Sequence, residues 1–480
     1  MGDDDGAMSD ATHSLPNPEE PATLLERALA DNLRLAQENL RLADELARLR
    51  DEHNDLRRRL EQSSLNSNTP PSADPPHKRT QRPKRPRSSK KQGAQPGHKG
   101  HRFLPLTPDK IVDVLPPSCH CCNAPLKGQD PAPHTHQVID IPPFKPEVID
   151  YKLHRLTCGC GAQTKASLPA GVPHQHFGPR VRALYIYLIA NFRMSRRQAQ
   201  EMLHTVVGTK VSLGTLNESE GQVSECLTPT HDEIKEQINQ SDLIHVDETG
   251  WYKNGELYWL WYAGNKDLSY FKIEKSRSKN SAFSILEKTK GIKVTDRFPA
   301  YTIINPEERQ LCWAHLKRDF VKLEGVKYGL EKKDSGKKLL ELTQNLFKLL
   351  SEHENDWKQQ EVQEKILDIK GTIRFILCQT EGREKKRSWI NRIINEYDQF
   401  WTWMNHPHVP LTNNEAERSL RHGVILRKIT FGNKSDRGLD FTEALLSVVQ
   451  TLKKRGRPIL DYLESVFDAM IRKQAIPQLL

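Results

Sequence analysis

Two kinds of residue in this sequence are spaced for chemistry: acids at the ends of apolar runs, and cysteines in close pairs. In HVDETGWYKNGELYWLWYAG, beginning at His245, Asp247 and Glu248 follow a short apolar run and precede an alternating, aromatic-rich one. In GIKVTDRFPAY another apolar run ends in Asp296. Carboxylates gathered at the ends of buried strands offer the hard oxygen ligands that suit Mg2+, whereas an isolated D-E-T-G reads equally as a turn. Partners decide between the two: Asp247 and Asp296 stand side by side if their strands are neighbours in one sheet. The thiols tell a second story. Cys119-His-Cys-Cys122 and Cys158-Gly-Cys160 are two close pairs separated by a hairpin-length stretch, the arrangement of a zinc ribbon in which Cys119, Cys122, Cys158 and Cys160 close a tetrahedral structural site. Cys121 is surplus, the second pair is tighter than the usual C-x2-C, and His120, His134 and His154 are substitute ligands.

The elements that position these groups follow from periodicity. SDLIHVDE reads as a short buried strand that ends at its acids, ELYWLWYAG and LSYFKIEK as the next strands of a meander, and NSAFSILEKTKG as a helix. GIKVTD is a fourth strand, and RQLCWAHLKRDF a strand running into a helix. Residues 326–407 are rich in Leu, Lys and Glu without strand pattern and read as a helical insertion. In LTNNEAERSLRHG, Asn413 or Asn414 caps a helix carrying Glu415, Glu417, Arg418 and Arg421. Glu415 and Glu417 lie roughly 200° apart around that helix, so only one faces a given site. Glu248 faces away from Asp247 if the strand continues, because side chains alternate. Upstream, SRRQAQEMLHTVVGTKVSLGTL reads as a helix, a turn at Gly208 and a second helix capped by Ser212. It is either a helix-turn-helix that brings Arg196 and Arg197 to DNA or an ordinary helical hairpin.

The N-terminal region has another character. Leu35, Leu42, Leu49 and Leu56 take the d positions of a heptad, and Leu25, Asn32, Asn39, Leu46, His53 and Leu60 the a positions, a coiled-coil seam whose asparagines favour a parallel dimer. The segment PPSADPPHKRTQRPKRPRSSKKQGAQPGHKGHR follows, rich in Pro, Lys and Arg, with no acid from His77 to Arg102. It reads as a disordered basic arm whose Arg82, Lys84, Arg85 and Arg87 suit a DNA minor groove or hold phosphates without reading sequence. The formal charge of +10 over 480 residues suits a polyanionic partner. No run of 18 apolar residues is present, the acidic start has no secretory character, and the eight cysteines are expected reduced or metal-bound in the cytoplasm. A multidomain α/β protein follows: tail 1–22, coiled coil 23–62, basic linker 63–104, zinc ribbon 105–172, helix-turn-helix segment 173–235, catalytic core 236–325 and 408–450 with helical insertion 326–407, and C-terminal helix 451–480.

HVDETG, VTDRFPAY, CWAHLKRDF, NNEAERSLR and the GHKGH that ends the basic linker, in this order, resemble the transposases of the insertion-sequence sixty-six family, a DDE group with a ribonuclease H-like mixed α/β core. The resemblance covers nearly the whole chain. It implies Asp247, Asp296 and Glu417 as catalytic acids holding two Mg2+ or Mn2+ ions, with Glu415 the rival for the third place. It also implies His315 and Arg318 positioning a phosphate or the nucleophilic water, with Arg418 and Arg421 on phosphates. Strand cleavage and strand transfer are in-line displacements at phosphorus, and two cations stabilise the attacking and leaving oxygens. The expected partners are terminal inverted repeats and target DNA, a second copy through the coiled coil, and small accessory proteins of the same element. The expected place is the bacterial cytoplasm, at the nucleoid. The alternatives are a zinc-containing dimeric DNA-binding regulator that has lost catalysis, and a metal-dependent nuclease that cuts without rejoining.

Overall fold

The computed structural model describes residues 29–39, 41–42, 45–46, 49, 105–324, 335–353, 356–381 and 388–479. The basic linker, with Arg82, Lys84, Arg85 and Arg87, and much of the expected zipper lie outside them. The chain divides into two units, residues 1–122 and 123–480. In the first, residues 29–39 form helix α1, which the described residues on to 49 continue. Leu35, Leu42, Leu46 and Leu49 along it are each about half exposed.

In the second unit, β1 (Arg155–Thr157) and β2 (Gln163–Lys165) pair antiparallel, with Cys158 and Cys160 in the turn between them. Three helices follow: α2 (Pro179–Asn191), α3 (Arg196–Thr205) and α4 (Leu213–Asn239). Ser195 opens α3 with a capping box to Gln198, and Ser212 caps α4 by accepting the Thr215 N–H, as its position before an apolar run predicts. The sheet is built from β3 (Leu243–Lys253), β4 (Glu256–Gly264) and β5 (Ser269–Glu274), then, after α5 (Lys279–Leu286), from β6 (Ile292–Thr295) and β7 (Arg309–Leu311). Its order is β5-β4-β3-β6-β7: β3, β4 and β5 are an antiparallel meander, whereas β6 runs parallel to β3 and β7 parallel to β6.

One expectation is corrected here. β3 does not end at Asp247 and Glu248; it runs on to Lys253 and turns at Asn254-Gly255, both with positive φ (49° and 86°). A two-residue Asn-Gly loop is the connection that matches strand twist, so it takes the hairpin turn and D-E-T-G stays in the strand. The remaining helices are α6 (Trp313–Glu324), α7 (Ser335–Glu352), α8 (Gln360–Glu381), α9 (Ser388–Asn395), α10 (Asn414–Thr430), α11 (Asp436–Lys454) and α12 (Ile459–Arg472).

Strand alternation divides the core. Ile244 and Val246 point into a cluster shared with α2, α4, α11 and α12, so the helices of 173–235 pack into the same core as the sheet. On the opposite face Ile292, Val294 and Leu311 pack with α6 to α9, and Trp251 and Tyr262 with Ala416 and Leu420 of α10. The edge strand β5 is covered by α11. Glu443, Ser447 and Thr451, one turn apart, accept the N–H groups of Ile273, Phe271 and Ser269. Four helical residues rise about 6 Å and two strand residues about 6.6 Å, so the two repeats match and the edge is closed to another strand.

Candidate active site

Asp247 sits mid-strand in β3, on the face turned to α6 and α10. The β3–β6 register pairs His245 with Val294 in parallel, and two residues further along each strand come Asp247 and Asp296. Adjacent parallel strands thus put the two carboxyls side by side, because β6 ends one residue before Asp296. Asp247 is 7% exposed, and one carboxylate oxygen accepts the Glu248 N–H at 2.9 Å. Burial pushes its carboxyl well above the usual range, and the charges of Glu248, Asp296 and Glu417 push the same way. Asp296 is held by a local turn. Its Oδ1 accepts the Phe298 N–H at 2.8 Å, and its carbonyl takes a hydrogen bond from buried Arg309 at 2.9 Å.

Glu417 lies in the first turn of α10, where the helix dipole favours an acid. Arg318 of α6 donates to its Oε1 at 3.2 Å and stands 3.2 Å from the Nε2 of His315. Burial holds His315 down to about 4, the Arg318 cation adds to this, and Asp296 opposes it, so the imidazole is neutral at pH 7. Glu415 turns elsewhere: Lys454 reaches it at 2.9 Å and Arg418 at 3.1 Å. Burial raises its carboxyl, but Lys454 and Arg418 outweigh this and the net direction is down.

Asn413 joins the three elements that carry these groups. It occupies the N-cap position of α10, as the sequence predicts, yet its side chain makes no cap bond. It is 1% exposed and turned onto β3: its Oδ1 meets His245 Nδ1 at 2.9 Å and its Nδ2 donates to the Val246 carbonyl at 2.8 Å. Its backbone N–H donates to the buried Cys312 Sγ at 3.2 Å, just ahead of α6. The strand of Asp247, the helix of Glu417 and the helix of His315 and Arg318 therefore meet on one buried amide. Cys312 serves this junction.

Glu248 lies on the other face of β3, as alternation predicts, but it is no bystander. Its side chain is fully buried, hydrogen-bonded to the Tyr301 hydroxyl and ion-paired with Arg277. The Arg277 guanidinium lies 3.6 Å from the centre of the Phe298 ring and 4.8 Å from that of Trp259. Burial raises the Glu248 carboxyl to about 7, the Asp296 charge adds, and Arg277 opposes.

The remaining predicted site residues are spread out. Arg418 and Arg421 are exposed on α10 and Arg197 on α3. The Arg196 guanidinium is engaged internally, forked onto buried Glu220, which also takes the Tyr185 hydroxyl. Each cysteine pair, taken by itself, sits on a turn that prepares a thiolate. N–H groups of Cys122 and Cys121 hold the Cys119 thiol below its ordinary value, and the Cys160 N–H does so for Cys158. Among the described residues no group of three or more His, Cys, Asp or Glu is closed into a cation site, and no helix is long and apolar enough to cross a membrane. Sequence reasoning missed Asn413 as more than a cap, and missed Tyr301 and Arg277 altogether. The one available signal was position: Asn413 precedes the acid-bearing turn of α10, and Arg277 and Tyr301 flank β6 and the Asp296 that follows it.

Comparison with known proteins gives the family. Residues 174–440, more than half of the chain, match the Transposase IS66 family, and they include Asp247, Asp296, His315 and Glu417. Residues 18–103 match a family of unknown function (DUF6444). Two relatives from Sinorhizobium fredii (strain NBRC 101917 / NGR234), both named only as uncharacterized proteins, are similar at low identity. The protein y4qI is 24% identical over 298 residues, covering 55% of this chain and 54% of the relative. The protein y4hP is 22% identical over 392 residues, covering 72% and 69%. The chain thus spans about half the length of the first of these relatives. On the family match, the chain belongs to the IS66 family of transposases.

Proposed function

We propose that the chain is a DDE-type DNA transposase that binds the terminal inverted repeats of its element and performs strand cleavage and strand transfer with Asp247, Asp296 and Glu417. The observation that carries this reading is the crowding of carboxyls around Asp247: burial first, and then the charges of Glu248, Asp296 and Glu417, drive its carboxyl toward the protonated form. A protein has no structural reason to bury like charges together, and a divalent cation relieves them. That donor set, all carboxylate oxygen, fits Mg2+ or Mn2+. When bound, two such ions would stabilise the charge that builds on the attacking and leaving oxygens. Asp247, Asp296 and Glu417 would hold them.

The chain's own residues supply the rest. Arg318 fixes the Glu417 carboxylate and sets a guanidinium charge beside the acids, where a phosphate would be drawn. His315, neutral and beside Asp296, can take or hold a proton on a ring nitrogen near the reacting oxygen. Arg418 and Arg421, exposed on the helix of Glu417, meet the DNA backbone, and Arg197 with the basic linker extends that contact. The strand order, a three-stranded meander followed by two parallel strands with helices on both faces, supports a ribonuclease H-like core. The half-exposed leucines of α1 support pairing of two copies through a coiled coil. The two cysteine turns each suit a soft divalent ion such as zinc.

Cation binding tests the reading without DNA. Mg2+ or Mn2+ at about 100 times its dissociation constant adds roughly 2.7 kcal/mol of stability, about 5–10 °C in Tm at 2–4 °C per kcal/mol. Asp247→Asn relieves the crowding, so it melts at or above the parent without metal and loses the cation response. An equal response in the variant and the parent would overturn the assignment.

A further inference from the structure

The face of α10 that carries Glu417 continues past it. Glu417, Arg421, Val424, Lys428 and Phe431 are spaced by four, three, four and three residues, which keeps them within about 40° of one line along the helix. Arg421 and Lys428 are exposed, and Phe431, at the end of the line, is 82% exposed, an unusual place for a phenylalanine. From Glu417 to Phe431 the helix rises about 21 Å.

The ring is held out by its backbone. Phe431 ends α10 in the left-handed region (φ 58°, ψ 23°), which non-glycine residues rarely enter. The chain beyond it leaves no alternative. Gly432, at φ 93°, lies so close to β3 that a Cβ there would stand 2.1 Å from the Tyr252 carbonyl oxygen. Asn433 then ties the loop down: its N–H donates to Tyr252 O at 2.9 Å, its carbonyl accepts from Asn254 N at 2.7 Å, and its Oδ1 accepts from Trp251 Nε1 at 2.8 Å. Its Nδ2 donates to Gly438 O at 2.9 Å and Thr442 Oγ1 at 3.0 Å. A loop fixed by five hydrogen bonds thus presents a phenyl ring to solvent, beside half-exposed Tyr252 and Leu257 and exposed Lys434.

We propose that Phe431 is a wedge that stacks on a base of the DNA duplex, while Arg421 and Lys428 hold the phosphates between it and the acid cluster. This rests on the reading of Asp247, Asp296 and Glu417 as the site where DNA is cut. Charge selects the occupant: beyond Glu417 the ridge carries only cations, and a polyanion with flat apolar faces at its steps satisfies both cations and ring. A rise of 21 Å is about six base-pair steps at 3.4 Å each, so the wedge touches the duplex that flanks the reacting phosphate.

The test uses the full chain and duplexes of about 40 base pairs carrying 2-aminopurine at successive positions, read by anisotropy and base fluorescence. Phe431→Asn suits the left-handed backbone, so the fold is kept while the ring is lost; Phe431→Trp keeps a ring. The asparagine variant should melt at or above the parent, bind about tenfold more weakly, a typical loss for one stacked base, and abolish the fluorescence change at the position the ring contacts. The tryptophan variant should bind as the parent does, and Lys428→Ala should lower the salt slope by about one. Equal affinity and unchanged fluorescence in Phe431→Asn overturn the proposal, as does a loss of self-association with DNA binding intact, which would make the ridge a protein interface. Because the readout is binding, an uncut duplex that still needs Phe431 counts against the catalytic reading and leaves the wedge standing.

Discussion

Glu248→Gln is the perturbation whose size the structure sets most clearly. The Glu248 carboxyl, ordinarily at 4.5, is raised to about 7 because its side chain is fully buried and the Asp296 charge is near. Below about pH 4.5 the group is protonated in both folded and unfolded chains, and the preference of the fold for the protonated form is fully present. As pH rises from about 4.5 to 7, the unfolded chain releases its proton first and that stability is lost. At 1.36 kcal/mol per pH unit the loss is about 3 kcal/mol. Glutamine imitates the protonated acid, keeping an oxygen for Tyr301 and Arg277 without the buried charge. The assay is urea denaturation of both proteins at pH 4 and pH 8 without divalent cations. Subtracting parent from variant at each pH cancels contributions common to both, and the difference should move by about 3 kcal/mol in the variant's favour between the two pH values. A difference that stays constant with pH would show that Glu248 titrates alike in the folded and unfolded chains, and would refute the burial argument.

Other consequences follow from particular contacts. Asn413→Ala leaves a His245 nitrogen and the Val246 carbonyl unpaired in a buried site; at about 1–3 kcal/mol each, denaturation should show a loss of roughly 2–6 kcal/mol and cation-induced stabilisation should weaken with it. Gly432→Ala places a methyl against the Tyr252 carbonyl at a positive φ, and should lower stability by more than about 1 kcal/mol in the same assay. For the cysteine turns, elemental analysis should find about one zinc per chain, falling on Cys158→Ser; a folded protein without zinc would remove the ribbon from the account.

The sheet was largely legible because its signals are local. Apolar runs, the alternation of β4 and the strand-to-helix run at Cys312 need no knowledge of the rest of the chain, and neighbouring β3 and β6 then pair the two aspartates. The end of β3 was misplaced because Asp and Gly are turn formers in isolation, whereas nine consecutive pairings with β4 extend the strand to Asn254-Gly255. Alternation also placed Glu248 on the far face, but its partners Tyr301 and Arg277 come from segments about 50 and 30 residues away, and no periodicity predicts such a meeting. Asn413 shows the same limit. Its type and position announce a helix cap, and only the approach of β3 and Cys312 makes it a buried junction. Arg196 was read as a DNA contact on the helix-turn-helix reading, and that reading could not foresee the glutamate 24 residues on that forks its guanidinium.

The central claim is that Asp247, Asp296 and Glu417 act together on DNA. The direct measurement takes the purified chain, a labelled duplex carrying the end of its element, and Mg2+, and compares the parent with Asp247→Asn, Asp296→Asn and Glu417→Gln for strand cleavage and strand joining. The account predicts that each variant loses both reactions while binding the duplex as the parent does, whereas Glu415→Gln keeps them. Cleavage that survives in any of the three would contradict it.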